Sequence, residues 1–261
     1  MSWVTGVGLT PFGKLPHRAT LDLMSEAAQA ALNDADLERG DIDGLICGYS
    51  TTMPHLMLST LFAEHFGIRP RYAHAMLVGG ATGFAMAMAA HLVIESGAAR
   101  HILVVAGENR LTGGSRDSAI QTLAQVGHID YEVPFGAIIP AYYGLVASRY
   151  MYEYGVQERD LAQLAVLMRS HAQMHSGAQF RSPIDVEAVL ASKPIASPLR
   201  LLDCCPVSDG GAAFIISRDP TNKRKVRVRA AAQAHTFQHV TAAPSLSQLG
   251  AGTSSGEALA A

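Results

Sequence analysis

The residues best suited to chemistry in this sequence are a glycine turn and a pair of adjacent thiols. Val78-Gly79-Gly80-Ala81-Thr82-Gly83 stands between an apolar run that reads as a buried strand and a long apolar helix. At such a junction the first helical amides lack intrahelical acceptors and the helix end is positive, so the turn suits a carbonyl oxygen or another anion-like group. Glycines here also permit tight strand-to-helix packing, with no ligand at all. Cys204 and Cys205 precede Pro206; neighbouring thiols bridge only with strain, and no histidine adjoins them in sequence to take a proton. Neither is expected to be a nucleophile.

Histidines recur four apart at His171 and His175 and at His235 and His239, a spacing that suits one edge of a metal site. Neither pair has a third ligand, so no metal is expected. His128, Tyr131, Tyr142 and Tyr143 lie in one polar-to-aromatic stretch, where an imidazole or phenol either moves a proton or serves packing. Nucleotide motifs are excluded: Gly6, Gly8 and Gly13 are misspaced for GxGxxG, and no glycine precedes Lys-Ser or Lys-Thr.

The elements that must position these groups read as alternating strands and helices. Trp3 to Leu9 predicts a strand, Leu21 to Ala35 a helix, Ile42 to Cys47 a strand and Leu56 to Phe66 a helix. The cycle repeats with Tyr72 to Val78, Thr82 to Ser96 closed by Gly97, and His101 to Ala106 as a fully buried strand. Such alternation implies a mostly parallel βαβ sheet with helices on both faces. From Arg110 to Gly136 the chain turns polar and glycine-bearing, and Ala141 to His175 reads as two helices parted near Gly155. The sheet resumes with Ala212 to Ser217; a basic turn to Lys225 leads to a strand from Val226 to Ala232, and a helix start is expected at Ser254 or Ser255. The Met86 and Met88 face of its helix suits core or dimer contact.

At 261 residues, 49% hydrophobic and 16% charged, the chain can bury a sizeable core. A formal net charge of −2 with scattered Lys and Arg gives no footprint for nucleic acid or an anionic membrane surface. No leader is read at the start, and no apolar run approaches the ~20 residues of a membrane span. Three cysteines form no disulfide framework, and a reducing, cytoplasmic setting is expected.

The glycine turn is followed by Arg181-Ser182-Pro183-Ile184-Asp185-Val186-Glu187 and then by Pro198-Leu199-Arg200-Leu201-Leu202-Asp203-Cys204-Cys205-Pro206-Val207-Ser208-Asp209-Gly210-Gly211-Ala212-Ala213. In this order the motifs resemble the thiolase superfamily, specifically its sterol-carrier-protein-linked branch. The resemblance runs from about Trp3 to about Gly256 and includes Ala106-Gly107-Glu108 and Tyr142 to Tyr154. It implies an α/β thiolase-like fold divided as residues 1–109 for the amino-terminal half, 110–200 for an inserted loop domain, 201–222 for the last strand of that half and 223–261 for the start of a truncated second half.

Matching Ala81-Thr82-Gly83 to the family's nucleophile turn puts Gly80 where the attacking cysteine belongs, and a hydrogen attacks no thioester. The resemblance still assigns the Gly80 amide to an oxyanion position, with Gly79, Ala81 and Thr82 beside it, and Cys205 and Pro206 to the pantetheine channel of coenzyme A. The Gly-His-Pro and Cys-x-Gly loops of the family's second half do not occur in this sequence. Thiolase-like acyl-CoA aldolases also carry glycine at the nucleophile position and pair with a small OB-fold and zinc-ribbon protein. The resemblance therefore implies carbon-carbon bond chemistry on an acyl-CoA, by acyl transfer or retro-aldol cleavage, with His128 and Tyr142 as proton-handling candidates. Coenzyme A enters as part of the substrate, no cofactor is expected to be held permanently, and a homodimer is expected. The alternative is a non-catalytic acyl-CoA-binding or assembly subunit that needs a partner chain.

Overall fold

A computed structural model describes residues 1–136, 138–221, 223 and 226–260. In chain order the elements are β1 (Ser2–Leu9), α1 (Thr20–Ala35), β2 (Gly44–Gly48), α2 (Leu58–Phe66), β3 (Tyr72–Met76), α3 (Thr82–Glu95) and β4 (His101–Asn109). After these come α4 (Arg116–Ala124), α5 (Ile139–Tyr154), α6 (Glu158–Met174), α7 (Val186–Ala191), β5 (Pro194–Ala196), β6 (Leu199–Arg200), β7 (Asp209–Ser217), β8 (Val226–Val228) and α8 (Gly250–Ala260). They form two compact units, Met1–Gly114 with Ser208–Gln233, and Ser115–Val207 with Ala234–Ala261.

The first unit is built on a six-stranded sheet in the order β3-β2-β4-β7-β1-β8. β2 pairs parallel with β3 and β4, while β7 runs antiparallel between β4 and β1, and β8 antiparallel to β1. β1 to β4 therefore share one direction, as strand-helix alternation requires. Side-chain alternation splits the core in two. Leu45, Cys47, Leu103, Val105, Ala213 and Ile215 face α1 and α2, and Ile46, Ile102, Val104 and Ile216 face α3.

Helix α1 lies unusually close to the strands beneath it. An added Cβ at Gly8 would overlap the Ala27 carbonyl, one at Gly6 the Ala31 carbonyl, and one at Gly211 the Leu23 carbonyl. Opposite these glycines the helix presents Ala27, Ala28, Ala31 and Ala35, all essentially buried. Glycine on the strand and alanine on the helix together bring two backbones into contact, so close packing is the role of Gly6 and Gly8.

Four expectations change. The 110–136 stretch is not all loop: Ser115 accepts from the Ser118 amide and starts α4, whose mixed Arg116–Ala124 pattern has no clear apolar stripe. β3 is not buried; it is an edge strand paired, among the described residues, only with β2, and Ala73, His74 and Ala75 are exposed. β2 begins at Gly44, because the Asp43 carboxylate turns the chain by accepting from the Arg100 and His101 amides. The strand from Val226 ends at Val228, since its partner β1 begins at Ser2, which pairs with Val228. The basic turn expected before it includes Asn222, Arg224 and Lys225, which lie outside the described residues.

The second unit is helical, with one small hairpin of β5 and β6. Gly144 of α5 rides on that hairpin: a Cβ there would stand 2.9 Å from the Ser197 carbonyl and 3.1 Å from that of Ala196. The polar residues of the second motif build this unit. Asp185 caps α7 by accepting from the Ala188 amide at 2.7 Å, Arg200 pairs with Glu158 at 3.0 Å, and Asp203 accepts the Arg200 amide at 2.8 Å. Among the described residues no helix is long and apolar enough to cross a membrane.

Candidate functional site

Parallel strands β2 and β3 end together, Gly48 lying opposite Met76, while Cys47 lies opposite Val105 of β4, which runs on to Asn109. The carboxyl ends of such strands are where open α/β sheets bind ligands. From them emerge the Tyr49 to Met57 loop, the glycine turn and the chain beyond Asn109. The turn is one 3-10 segment, Gly79–Ala81, running directly into α3. Thr82 organises it: its hydroxyl donates to the Gly79 carbonyl at 2.6 Å and accepts the Val78 amide at 3.0 Å. Gly79 has φ +56°, a left-handed conformation that favours glycine. Gly80 does not, and a Cβ built on it meets nothing within 4 Å. Neither backbone strain nor crowding demands glycine at position 80. The residues from Gly79 to Ala81 are exposed and Thr82 is buried.

Two carboxylates fix the loops at this end of the sheet. Glu108 accepts from the Thr51 and Thr52 amides at 2.8 and 3.1 Å, from both of their hydroxyls, and from Ser50. Burial pushes the Glu108 carboxyl up, but the bonds from Thr52 and Thr51 outweigh it and hold the group below the usual carboxylate range. Asp209, fully buried, accepts from the Leu15, Leu111 and Thr112 amides and from the Thr112 hydroxyl. Both carboxylates are occupied as acceptors and act as braces. Arg110, next after β4, has a buried guanidinium nitrogen with no partner among the described residues.

His128 and Tyr142 belong to the second unit, as do Cys205 and Pro206. Their neighbourhood is organised by Glu132, only 6% exposed. One Glu132 oxygen accepts from the Thr241 amide and hydroxyl at 3.0 and 3.1 Å, the other from the His128 amide at 2.8 Å. Burial raises this carboxyl, yet the Thr241 and His128 bonds, helped by the nearby His239 charge, hold it low. The His128 ring meets those of Tyr131 and His239 at 4.7 and 5.2 Å, and its Nδ1 accepts the Asp130 amide. The Tyr142 hydroxyl is buried and has no hydrogen-bond partner among the described residues. Desolvation, followed by the Glu132 charge, pushes its pKa up, so the phenol stays protonated.

Two of the thiols are not activated. Burial pushes Cys47 up to about 12, and burial, then Asp203 and Cys205, raise Cys204. Cys205 is exposed. Among the described residues no group of three or more His, Cys, Asp or Glu is placed to hold a metal ion. Sequence reasoning gives no role to Glu132 and includes Glu108 and Asp209 only within motifs. A lone acid closing an apolar strand is the available signal for Glu108; for Glu132, whose partner Thr241 is far along the chain, there is none.

Comparison with known proteins agrees with this arrangement. The family described as thiolase, N-terminal domain, matches residues 2–219. An acetyl-CoA acetyltransferase of Methanocaldococcus jannaschii is 34% identical over 82% of this chain and 54% of its own length. A steroid side-chain-cleaving aldolase of Thermomonospora curvata is 32% identical over 82% of this chain and 56% of its own. Among solved structures an Ltp2-ChsH2(DUF35) aldolase has a TM-score of 0.78 and 28% identity, covering 96% of this chain and 66% of that one. The chain thus spans a little over half the length of these two curated relatives. With five of the six strands of its sheet, its glycine turn and both signature motifs inside the matched span, the chain belongs to the thiolase superfamily and carries the amino-terminal domain of that fold.

Proposed function

We propose that this protein acts on acyl-CoA thioesters in carbon-carbon bond chemistry that proceeds without an acyl-enzyme, with retro-aldol cleavage favoured over acyl transfer. The observation that carries the reading is Gly80. It stands at the start of α3 on a turn set by Thr82, with open space beside it and no side chain to attack. What the turn retains is a first-turn amide suited to an oxyanion. In a retro-aldol step a base takes the β-hydroxyl proton, the Cα–Cβ electrons pass into a thioester enolate, and a carbonyl fragment leaves. The Gly80 amide would hold the enolate oxygen until Cα is reprotonated, the Ala81 and Thr82 amides being engaged by the Val78 and Gly79 carbonyls. His128 and Tyr142 are the proposed proton-handling groups, and Cys205 and Pro206 the proposed pantetheine contacts.

Similarity to a steroid side-chain-cleaving aldolase, and to an aldolase solved with a DUF35 partner, supports a reading in which an accessory OB-fold and zinc-ribbon protein completes the assembly. The open edge of β3, flanked by exposed Leu77 and Phe84, supports a homodimer. A non-catalytic acyl-CoA-binding or assembly subunit that needs a partner chain is the second reading, favoured by the lack of an attacking side chain at Gly80.

Intact mass spectrometry after incubation with acetyl-CoA tests the first reading. The wild-type chain is expected to show no covalent adduct. Gly80→Cys, for which the turn has room, places a thiol at a helix start and is expected to become acylated. An adduct on the wild-type chain overturns the reading. Release of a ketone or aldehyde from a β-hydroxyacyl-CoA, by the chain with its accessory protein, separates the enzyme from the binding subunit.

A further inference from the structure

Cys204 and Cys205 are adjacent thiols in unequal surroundings: Cys205 is exposed and Cys204 half-buried. Cys204 closes the 3-10 turn Leu201–Asp203, its amide donating to the Leu201 carbonyl at 3.3 Å, and its backbone is extended at φ −98° and ψ 142°. From Cys204 to Ser208 the chain belongs to no helix or strand, so no ladder or helical turn locks its dihedrals. Burial, then the Asp203 charge, then Cys205 itself raise the Cys204 pKa, and that thiol stays protonated at neutral pH. Cys47 offers the contrast of a thiol enclosed in the core of the first unit, where burial pushes it up to about 12.

We propose that Cys204 and Cys205 are an oxidant-sensitive dithiol, which a hydroperoxide closes to a reversible vicinal disulfide. The exposed Cys205 sulfur attacks the peroxide O–O bond and keeps one oxygen as a sulfenic acid, while the other leaves as an alcohol or water. The Cys204 sulfur then displaces that hydroxyl, which forms the S–S bond and departs as water with the Cys204 proton. Two thiols thereby lose two electrons and two protons, and the hydroperoxide takes up both. Adjacency supplies a high effective concentration, so a protonated, half-buried thiol reacts before a second molecule of oxidant arrives. Geometry supplies the reversibility. Neighbouring Cα atoms lie about 3.8 Å apart, below the ~4.4 Å at which ordinary disulfides begin, and an extended backbone sends successive side chains to opposite sides. The Cys204 dihedrals must therefore turn for the bridge to close, and the strain of the small ring makes it easier to reduce than a structural disulfide. The inference does not rest on the acyl-CoA reading, under which the same change would displace the proposed pantetheine contacts Cys205 and Pro206.

The test treats the full chain with hydrogen peroxide and follows it by intact mass and peptide mapping. The wild type is expected to lose two hydrogens, with the bridge mapped to the peptide that holds Cys204 and Cys205, and with Cys47 still a free thiol once the chain is unfolded. Reduced glutathione is then expected to restore both thiols, as it does for strained bridges and not for structural ones. Cys204→Ser leaves Cys205 without a partner, and this variant should instead gain oxygen at Cys205, as a sulfenic and then a sulfinic acid. Cys205→Ser should be spared at the same dose, because the remaining thiol of the pair is half-buried and protonated. Oxygen gained at Cys205 of the wild type with no bridge, a disulfide between two chains, or a bridge that glutathione leaves closed would each overturn the inference. So would a wild-type chain left unchanged at a dose that oxidises Cys204→Ser.

Discussion

The two units are built from different physics. The first buries continuous apolar strands: Ile102, Leu103, Val104 and Val105 of β4 and Ile215 and Ile216 of β7 are inaccessible to solvent, sandwiched between α1 and α2 on one face and α3 on the other. Helices α5 and α6 of the second bury only Gly144 and Ala162, and exposed on them are Tyr143, Tyr152, Leu164, Leu167 and Met168. It is held instead by caps, the Arg200 and Glu158 pair, the Arg159 and Glu187 pair, and the Glu132 knot. Apolar burial gives the first unit a cooperative core, while polar ties let the second place specific side chains with little mass behind them.

The most severe way to break the contrast is to attack the sheet. Leu103→Ala removes a fully buried side chain from β4 and is expected to cost about 2–5 kcal/mol. Gly8→Val forces a side chain into the Ala27 carbonyl and should prevent the close approach of α1, at about 3 kcal/mol or more. Leu164→Ala, on the exposed face of α6, should stay within about 0.5 kcal/mol. Chemical denaturation of all three variants checks the ranking, and equal losses at Leu103 and Leu164 would abolish the distinction between the units.

Hydrogen exchange sharpens the same contrast without mutation. Amides from Ile102 to Val105 in β4 and from Ala212 to Ser217 in β7, where the strands are paired on both sides, should exchange only through global unfolding. Those of α6 should exchange through openings several-fold to many-fold more frequent, and protection of α6 equal to that of β4 would contradict the picture.

The same division explains what the sequence made legible. Where apolar periodicity decides, as in β1, α1, β4 and the α5 and α6 helices, the reading falls within a few residues of the structure. It fails at β3, because an apolar run does not reveal whether its strand lies inside or at the edge of a sheet; only pairing does. It fails at α4, whose main sequence signal is a serine cap. The place of Gly80 on the turn before α3 was legible from the motif that surrounds it. Glu108, Asp209 and Glu132 were not, because each acts by accepting bonds from residues distant in sequence, and Glu132 and Thr241 are separated by 109 positions. Long-range satisfaction of a buried carboxylate leaves no local pattern.

The mildest expected effect concerns protons at the opposite end of the sheet. His101 hydrogen-bonds through Nδ1 to Ser217, whose hydroxyl also meets that of Thr5, both residues fully buried. Burial, then the neighbouring Arg100, lowers the His101 pKa, although Asp43, Asp41 and Asp219 pull the other way. A histidine depressed in the folded state binds protons more readily when unfolded, so stability is full above the ordinary value of about 6.5 and declines as pH falls from there toward the folded value. Glu108, also depressed, adds a separate loss on acidification, but only below the ordinary glutamate value of about 4.3. Denaturation midpoints between these two values isolate the histidine. The wild type should weaken by a fraction of its stability across that window, and His101→Gln should flatten the slope there while leaving the steeper loss at lower pH. A slope unchanged by His101→Gln would assign the proton uptake to another group, and the polar chain from His101 to Thr5 would then be a passive part of the core.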